Sequence, residues 1–173
     1  METFGSTEIY GLRQSFVLVG TTAAADLPLP SNVMRYYFPS VNHGGGGGGF
    51  NLASAPVGGC ALPANAAPTA PIRSALMADL VEWVSKGIPM PPSSYPKLAE
   101  NTLVKNTSAA MGFPQIPGLP PPDGIQWPLL DYDLGNDFHY SDESGVPTRV
   151  ATVLQVLPQL VPNVDADGNE IPG

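Results

Sequence analysis

Cysteine is almost absent from this 173-residue sequence: Cys60 stands alone, which excludes an internal disulfide framework and any zinc site built from several cysteines. Basic residues are also scarce, 7 Lys+Arg against 15 Asp+Glu, and a net charge of -8 repels phosphate backbones, which sets nucleic acid aside as a partner class. No stretch approaches the roughly 18 consecutive apolar residues of a membrane span. The opening Met1-Glu2-Thr3-Phe4 has neither the basic nor the apolar region of a signal peptide. Glycine and proline, by contrast, are abundant at 19 and 21 residues, about twice average usage, so long uninterrupted helices are not expected over most of the chain. A hydrophobic content of 43% still suffices for one core.

Along the chain, Arg13 to Val19 is rich in β formers and predicts a strand. Val33-Met34-Arg35-Tyr36-Tyr37-Phe38 predicts a second one, with β-branched and aromatic residues bounded by Asn and Pro. That segment runs into Pro39-Ser40-Val41-Asn42-His43 and then six glycines, Gly44 to Gly49, which predict a loose loop. Thr69 is placed to cap a helix over 70–86, with Pro71 in its first turn, apolar residues at Ile72, Leu76, Leu80 and Val84, and Gly87 as its stop. From Ile88 onward the prolines permit mainly extended or turn conformations, and 88–150 reads as a wrapping segment rather than a second core. A β-like stretch at 150–156 precedes the polar tail Asp165-Ala166-Asp167-Gly168-Asn169-Glu170. The expected class is α/β: a sheet edge of two to four strands, one packed helix and much irregular chain. Residues 1–87 form the expected core portion and 88–173 the Pro-rich extension.

His43 is the first candidate for chemistry, because open α/β sheets place their sites where loops leave strand ends. His-Gly-Gly-Gly after a strand matches the oxyanion loop of some esterases, but that reading requires a Gly-x-Ser-x-Gly nucleophile elbow and the sequence contains none. In the competing reading His43 is the general base of a triad, and the acid precedes it in the chain. Glu8 occupies that place and would hold the imidazole in one tautomer; Asp26 is the alternative acid. On pattern alone the favoured reading of Glu8 is an exposed carboxylate capping a helix whose cap residue is Ser6 or Thr7. Ser6, Ser15 and Ser40 are nearby hydroxyls, none in an elbow, and none is assigned as nucleophile.

The remaining signals are weaker. Asp165-x-Asp167-x-Asn169 begins like a calcium loop but has glycine at position four rather than six, which favours a solvated acidic turn. His139, among Asp131, Asp133, Asp137 and Asp142, has the composition of a divalent-metal site, but a lone His in an acidic loop is usually only a surface residue. No cofactor or metal is assigned. Cys60 has no neighbouring cation in sequence to activate it and is read as inert. Asn106-Thr107-Ser108 matches the N-glycosylation acceptor pattern. Trp83 falls in the helical register of a core residue, while Trp127 either lines a groove or anchors the wrapping segment.

Several runs together resemble an α/β-hydrolase-domain family of large, mostly uncharacterised bacterial proteins. They are Glu2-Thr3-Phe4-Gly5-Ser6-Thr7-Glu8, Leu27-Pro28-Leu29-Pro30-Ser31-Asn32-Val33 through Arg35-Tyr36-Tyr37 to Asn42-His43-Gly44-Gly45, and Cys60-Ala61-Leu62-Pro63-Ala64-Asn65. Trp83 to Gly87, Ser94 to Ala99 and Val164 to Glu170 extend the resemblance over nearly the whole chain. It implies an often exported hydrolase of esters or related acyl compounds, with Glu8 as triad acid, His43 as base and 70–86 as the terminal helix against the sheet. The resemblance covers only the C-terminal part of such a protein. The central strands and the nucleophile would then come from an N-terminal half, and this chain by itself would be an incomplete enzyme. The alternative is a non-catalytic Pro/Gly-rich structural or binding module that self-associates or pairs with a partner chain.

Overall fold

The computed structural model describes residues 1–49, 63, 65–138, 147 and 149–173. It contains short helices, one long helix and three two-stranded sheets, a mixed helix-and-sheet architecture compatible with the α/β class. His139 and Cys60 lie outside the described residues.

β1 (Glu2–Gly5) and β2 (Arg35–Phe38) pair in parallel, Glu2 with Arg35 through Gly5 with Phe38. On its other side β2 meets Ser94, whose carbonyl accepts the Tyr37 amide (2.8 Å) and whose amide donates to the Arg35 carbonyl (3.0 Å). The Arg35 side chain is held by Glu2 at 2.6 Å and lies over the Tyr95 ring.

α1 (Ser6–Tyr10) follows β1 directly, and α2 (Phe16–Val19) replaces the strand expected over 13–19. The reason is a periodicity that the β-forming letters conceal. Ser15, Leu18 and Val19 are the buried positions, spaced three and four apart as on a helix, while Val17 faces solvent. Arg13, at φ 60°, turns the chain before it.

α3 (Ala70–Lys86) occupies the expected helix and closes at Gly87, whose left-handed φ of 71° lets its amide reach the Trp83 carbonyl at 3.0 Å. Thr69 sits at the N-cap but its hydroxyl makes no capping bond. Only the middle of the expected stripe is covered: Leu76 is 7% exposed and packs with Tyr36 and Met90, with Leu80 and Trp83 beside it, whereas Val84 is 79% exposed. Residues four apart drift by about 40° per step on a helix of 3.6 residues per turn, so a line from Ile72 to Val84 winds off any single face.

Beyond Gly87 the chain both wraps and fills. β3 (Leu103–Lys105) pairs antiparallel with β6 (Leu160–Pro162), and α4 (Ser108–Met111) follows β3. Tyr95, Leu103, Met111, Leu160, Val161 and Val164 join Phe4, Ile9, Leu18, Val19 and Tyr37 in one cluster, so the principal core draws on both sides of residue 87. Each fully buried aliphatic side chain of this kind contributes about 1.5–3 kcal/mol relative to exposure. β4 (Leu129–Asp133) and β5 (Thr152–Leu157) form an antiparallel ribbon, and Val153, Leu154 and Val156 of β5 are exposed. No helix among the described residues is long and apolar enough to cross a membrane.

Candidate active site

The parallel register of β1 and β2 brings both strands to an end side by side, so the segments that leave them, one running on from Ser6 and the other from Pro39, become neighbours in space. The close approach is possible because residue 5 is glycine: a Cβ there would meet the Val41 carbonyl oxygen at 2.9 Å and that of Phe38 at 3.3 Å. The Ser6 amide donates to the Val41 carbonyl at 3.0 Å, and the His43 amide donates to Thr7 Oγ1 at 3.1 Å.

Glu8 and His43 are brought together. Glu8 is the third residue of α1, and its carboxylate folds back so that Oε2 accepts the Gly5 amide at 2.7 Å. The capping residue is therefore Gly5, not Ser6 or Thr7, and Glu8 supplies the side-chain half of a capping box. Its other oxygen, Oε1, is hydrogen-bonded to His43 Nδ1. One carboxylate thus serves both the helix cap and the imidazole. The Glu8 carboxylate is largely covered, 15% exposed, while the His43 imidazole is 76% exposed. Burial pushes the Glu8 carboxyl upward, but the bonds from His43 and Gly5 outweigh it and leave the group below its ordinary value. With Nδ1 engaged by the carboxylate, Nε2 is the ring nitrogen left for a reacting group, and no described residue's hydroxyl is bonded to it.

The other sequence candidates lie elsewhere. Asp26 is committed to the amides of Leu98 (2.8 Å) and Ala99 (2.9 Å), which removes it as the acid for His43. Ser15 is fully buried and accepts the Leu160 amide. The glycine run is more tightly held than its composition predicts: Gly45 donates to Asn42, Gly46 to Ala67 and Gly48 to Ala66, all backbone carbonyls at 2.8–3.0 Å. The bonds from Gly46 and Gly48 tie the loop behind His43 to the approach to α3. With the Gly45 bond they also occupy three of the amides that an oxyanion loop would need free.

Asp165 Oδ1 accepts the amides of Asp167 and Asn169, an Asx turn, and no group of three or more metal-ligating side chains occurs among the described residues. Gln126 anchors the wrapping segment, its Nε2 donating to the Ile9 carbonyl at 3.2 Å, while the exposed Trp127 lines an open pocket with Tyr10, Arg13 and Ile125.

A residue that the sequence reading missed stands beside the pair. Glu170, from the polar tail, directs Oε2 at Ser6 Oγ (2.5 Å), Tyr37 OH (2.6 Å) and the Ser40 amide. The signal was a turn: Asp165 to Asn169 between Val164 and Ile171 marks a tight reversal, and Val164 and Glu170 are bridged across it.

A cavity of about 180 Å³ adjoins the pair, with Glu8, His43, Phe38, Thr69 and Arg73 in its wall. A larger one, about 590 Å³, is lined by Phe113, Ile116, Leu119 and neighbouring residues without a titratable side chain, which leaves it no acid–base chemistry. Comparisons with protein-family models, with curated proteins and with solved structures found no match to this chain.

Proposed function

We propose that Glu8 and His43 are the acid and base of a hydrolase of the α/β-hydrolase type acting on ester or related acyl bonds. The observation that carries this reading is the one-sided engagement of the imidazole: Nδ1 is bonded to a mostly covered carboxylate while the ring itself stands in solvent. In that arrangement Glu8 fixes the tautomer, Nε2 takes a proton from the attacking hydroxyl, and the resulting imidazolium is stabilised by the carboxylate. The parallel β1–β2 pair, with the acid on the segment after one strand and the base on the segment after the other, fits the same reading. The sequence has no nucleophile elbow, so the attacking serine is supplied by other polypeptide, an N-terminal half or a partner.

The test is hydrolysis of a short-chain p-nitrophenyl ester. The chain alone gives little turnover. Combined with a polypeptide that supplies the serine, it gains activity that His43→Ala lowers by about 10²–10⁴-fold. Hydrolysis insensitive to His43→Ala would overturn the assignment.

A second reading, a structural or binding module that associates with a second copy of itself, is favoured by the apolar side chains that α3 and β5 expose, among them Val81, Val84, Leu154 and Val156. The two readings are compatible, since an exposed face beside an incomplete site is where further polypeptide would pack.

A further inference from the structure

We propose that Glu170 is a positioning residue for the Glu8–His43 pair, its carboxylate clamping the segment that carries the acid to the segment that carries the base. The inference rests on the acid–base reading given above and extends it to a residue more than a hundred positions away in sequence. The three donors that converge on Glu170 Oε2 come from both limbs of the site. Ser6 lies two residues before Glu8, Ser40 lies three before His43, and Tyr37 belongs to the strand that delivers the His43 segment. Ser40 also accepts the Glu170 amide through its own Oγ at 3.3 Å, so the contact at that limb is reciprocal. Ser40 has φ 56°, a left-handed conformation that a serine adopts at a cost and that the two bonds to Glu170 hold in place.

The clamp is itself anchored. Glu170 is bridged to Val164, a buried member of the principal core, and the Val164 amide donates to the Met111 carbonyl at 3.0 Å. The Ile171 amide donates to Asn163 at 3.0 Å on the following rung, and the Asp165 turn closes the reversal. Removal of the carboxylate leaves two hydroxyls and an amide without their acceptor at a half-covered position, and each limb is free to find water independently. Burial and the neighbouring Glu170 charge both push the Tyr37 phenol above its ordinary value, which keeps it a donor over the working range.

The experiment reads the pair directly by NMR on the full chain. His43 and His139 are its only histidines, so the imidazole ¹⁵N–¹H spectrum contains two spin systems. In the parent, one of them shows a protonated, hydrogen-bonded Nδ1, and Glu8→Gln abolishes that signature. Glu170→Ala abolishes it too and returns the Glu8 carboxyl titration upward toward the ordinary glutamate value, with the chain still folded. Glu170→Gln, which keeps an acceptor oxygen, retains the signature. Where Glu170→Ala fails to fold, Ser6→Ala combined with Tyr37→Phe cuts the same clamp at the acid limb by deleting only hydroxyls, and the signature is lost there. A folded Glu170→Ala chain, or a folded double variant, with the Nδ1 signature and the Glu8 titration unchanged would overturn the clamp. The outcome for the acid–base reading is separate: a parent signature indifferent to Glu8→Gln would remove the pair itself, whatever Glu170 does.

Discussion

Glu8 holds two partners with two different oxygens, so two substitutions should separate them. Glu8→Gln keeps an acceptor for the Gly5 amide and loses the charge opposite His43; Glu8→Ala loses both. Loss of a helix-capping interaction costs about 1 kcal/mol. The His43 pair contributes less, about 0.2–1 kcal/mol, because the imidazole is 76% exposed and solvent screens it. Glu8→Ala should therefore be destabilised by about 1–2 kcal/mol and Glu8→Gln by less than about 1 kcal/mol, as measured by urea denaturation at neutral pH with Trp fluorescence. The pH dependence supplies the second half of the test. Because the folded-state carboxyl lies below its ordinary value, its contribution is fully present above the unfolded value near 4.3 and is lost as pH falls through the lower, folded value. The gap between parent and Glu8→Gln should consequently close on acidification below about pH 4. Equal destabilisation by Gln and Ala, or a gap that persists unchanged into acid, would refute the two-oxygen account.

Gly5→Ala places a methyl group against two backbone carbonyl oxygens, neither of which can rotate away, and should cost about 1–3 kcal/mol in the same denaturation assay; a loss below about 0.5 kcal/mol would mean that the Val41 segment yields freely. Val81→Asp places a charge on the exposed face of α3 and should leave thermal stability unchanged while reducing any concentration-dependent increase in mass seen by light scattering; an association unaffected by it would locate the interface elsewhere.

The second strand and the long helix were legible because their signals are local. Val33 to Phe38 combines β-branched and aromatic letters between Asn32 and Pro39, and the helix carries its own stop at Gly87. The misread stretch at 13–19 shows the limit of composition: Phe16, Val17, Leu18 and Val19 are all β formers, yet which of them is buried follows from contacts with Leu160 and the core, not from their propensity. The Glu8–His43 juxtaposition was expected from chain order and the family resemblance. Its geometry depends on a parallel register that no local pattern specifies, and on the small residue at position 5 that allows it. Glu170 was hidden for a related reason. In sequence it ends an acidic tail, and only the reversal after Val164 carries it back to the ends of β1 and β2.

A carboxylate paired with an imidazole that stands in solvent cannot hold itself together. At about 0.2–1 kcal/mol its own attraction is comparable to thermal energy and to the entropy of fixing two side chains. The orientation must therefore be imposed by the surrounding backbone, and the surrounding backbone has the means. The Ser6 amide is bonded to the Val41 carbonyl, the His43 amide to Thr7, the glycine run to residues 66 and 67, and the Ser40 turn to Glu170. Each of these joins a segment leaving one strand to a different part of the chain, and none uses the Glu8 carboxylate or the His43 imidazole. The distribution suits the general-base role proposed for His43, in which Nε2 would have to stay in one place while the ring gains and loses a proton. It follows that substitutions in the supporting contacts should disturb the pair more than a change of salt does: added salt screens a surface attraction but leaves the backbone bonds intact.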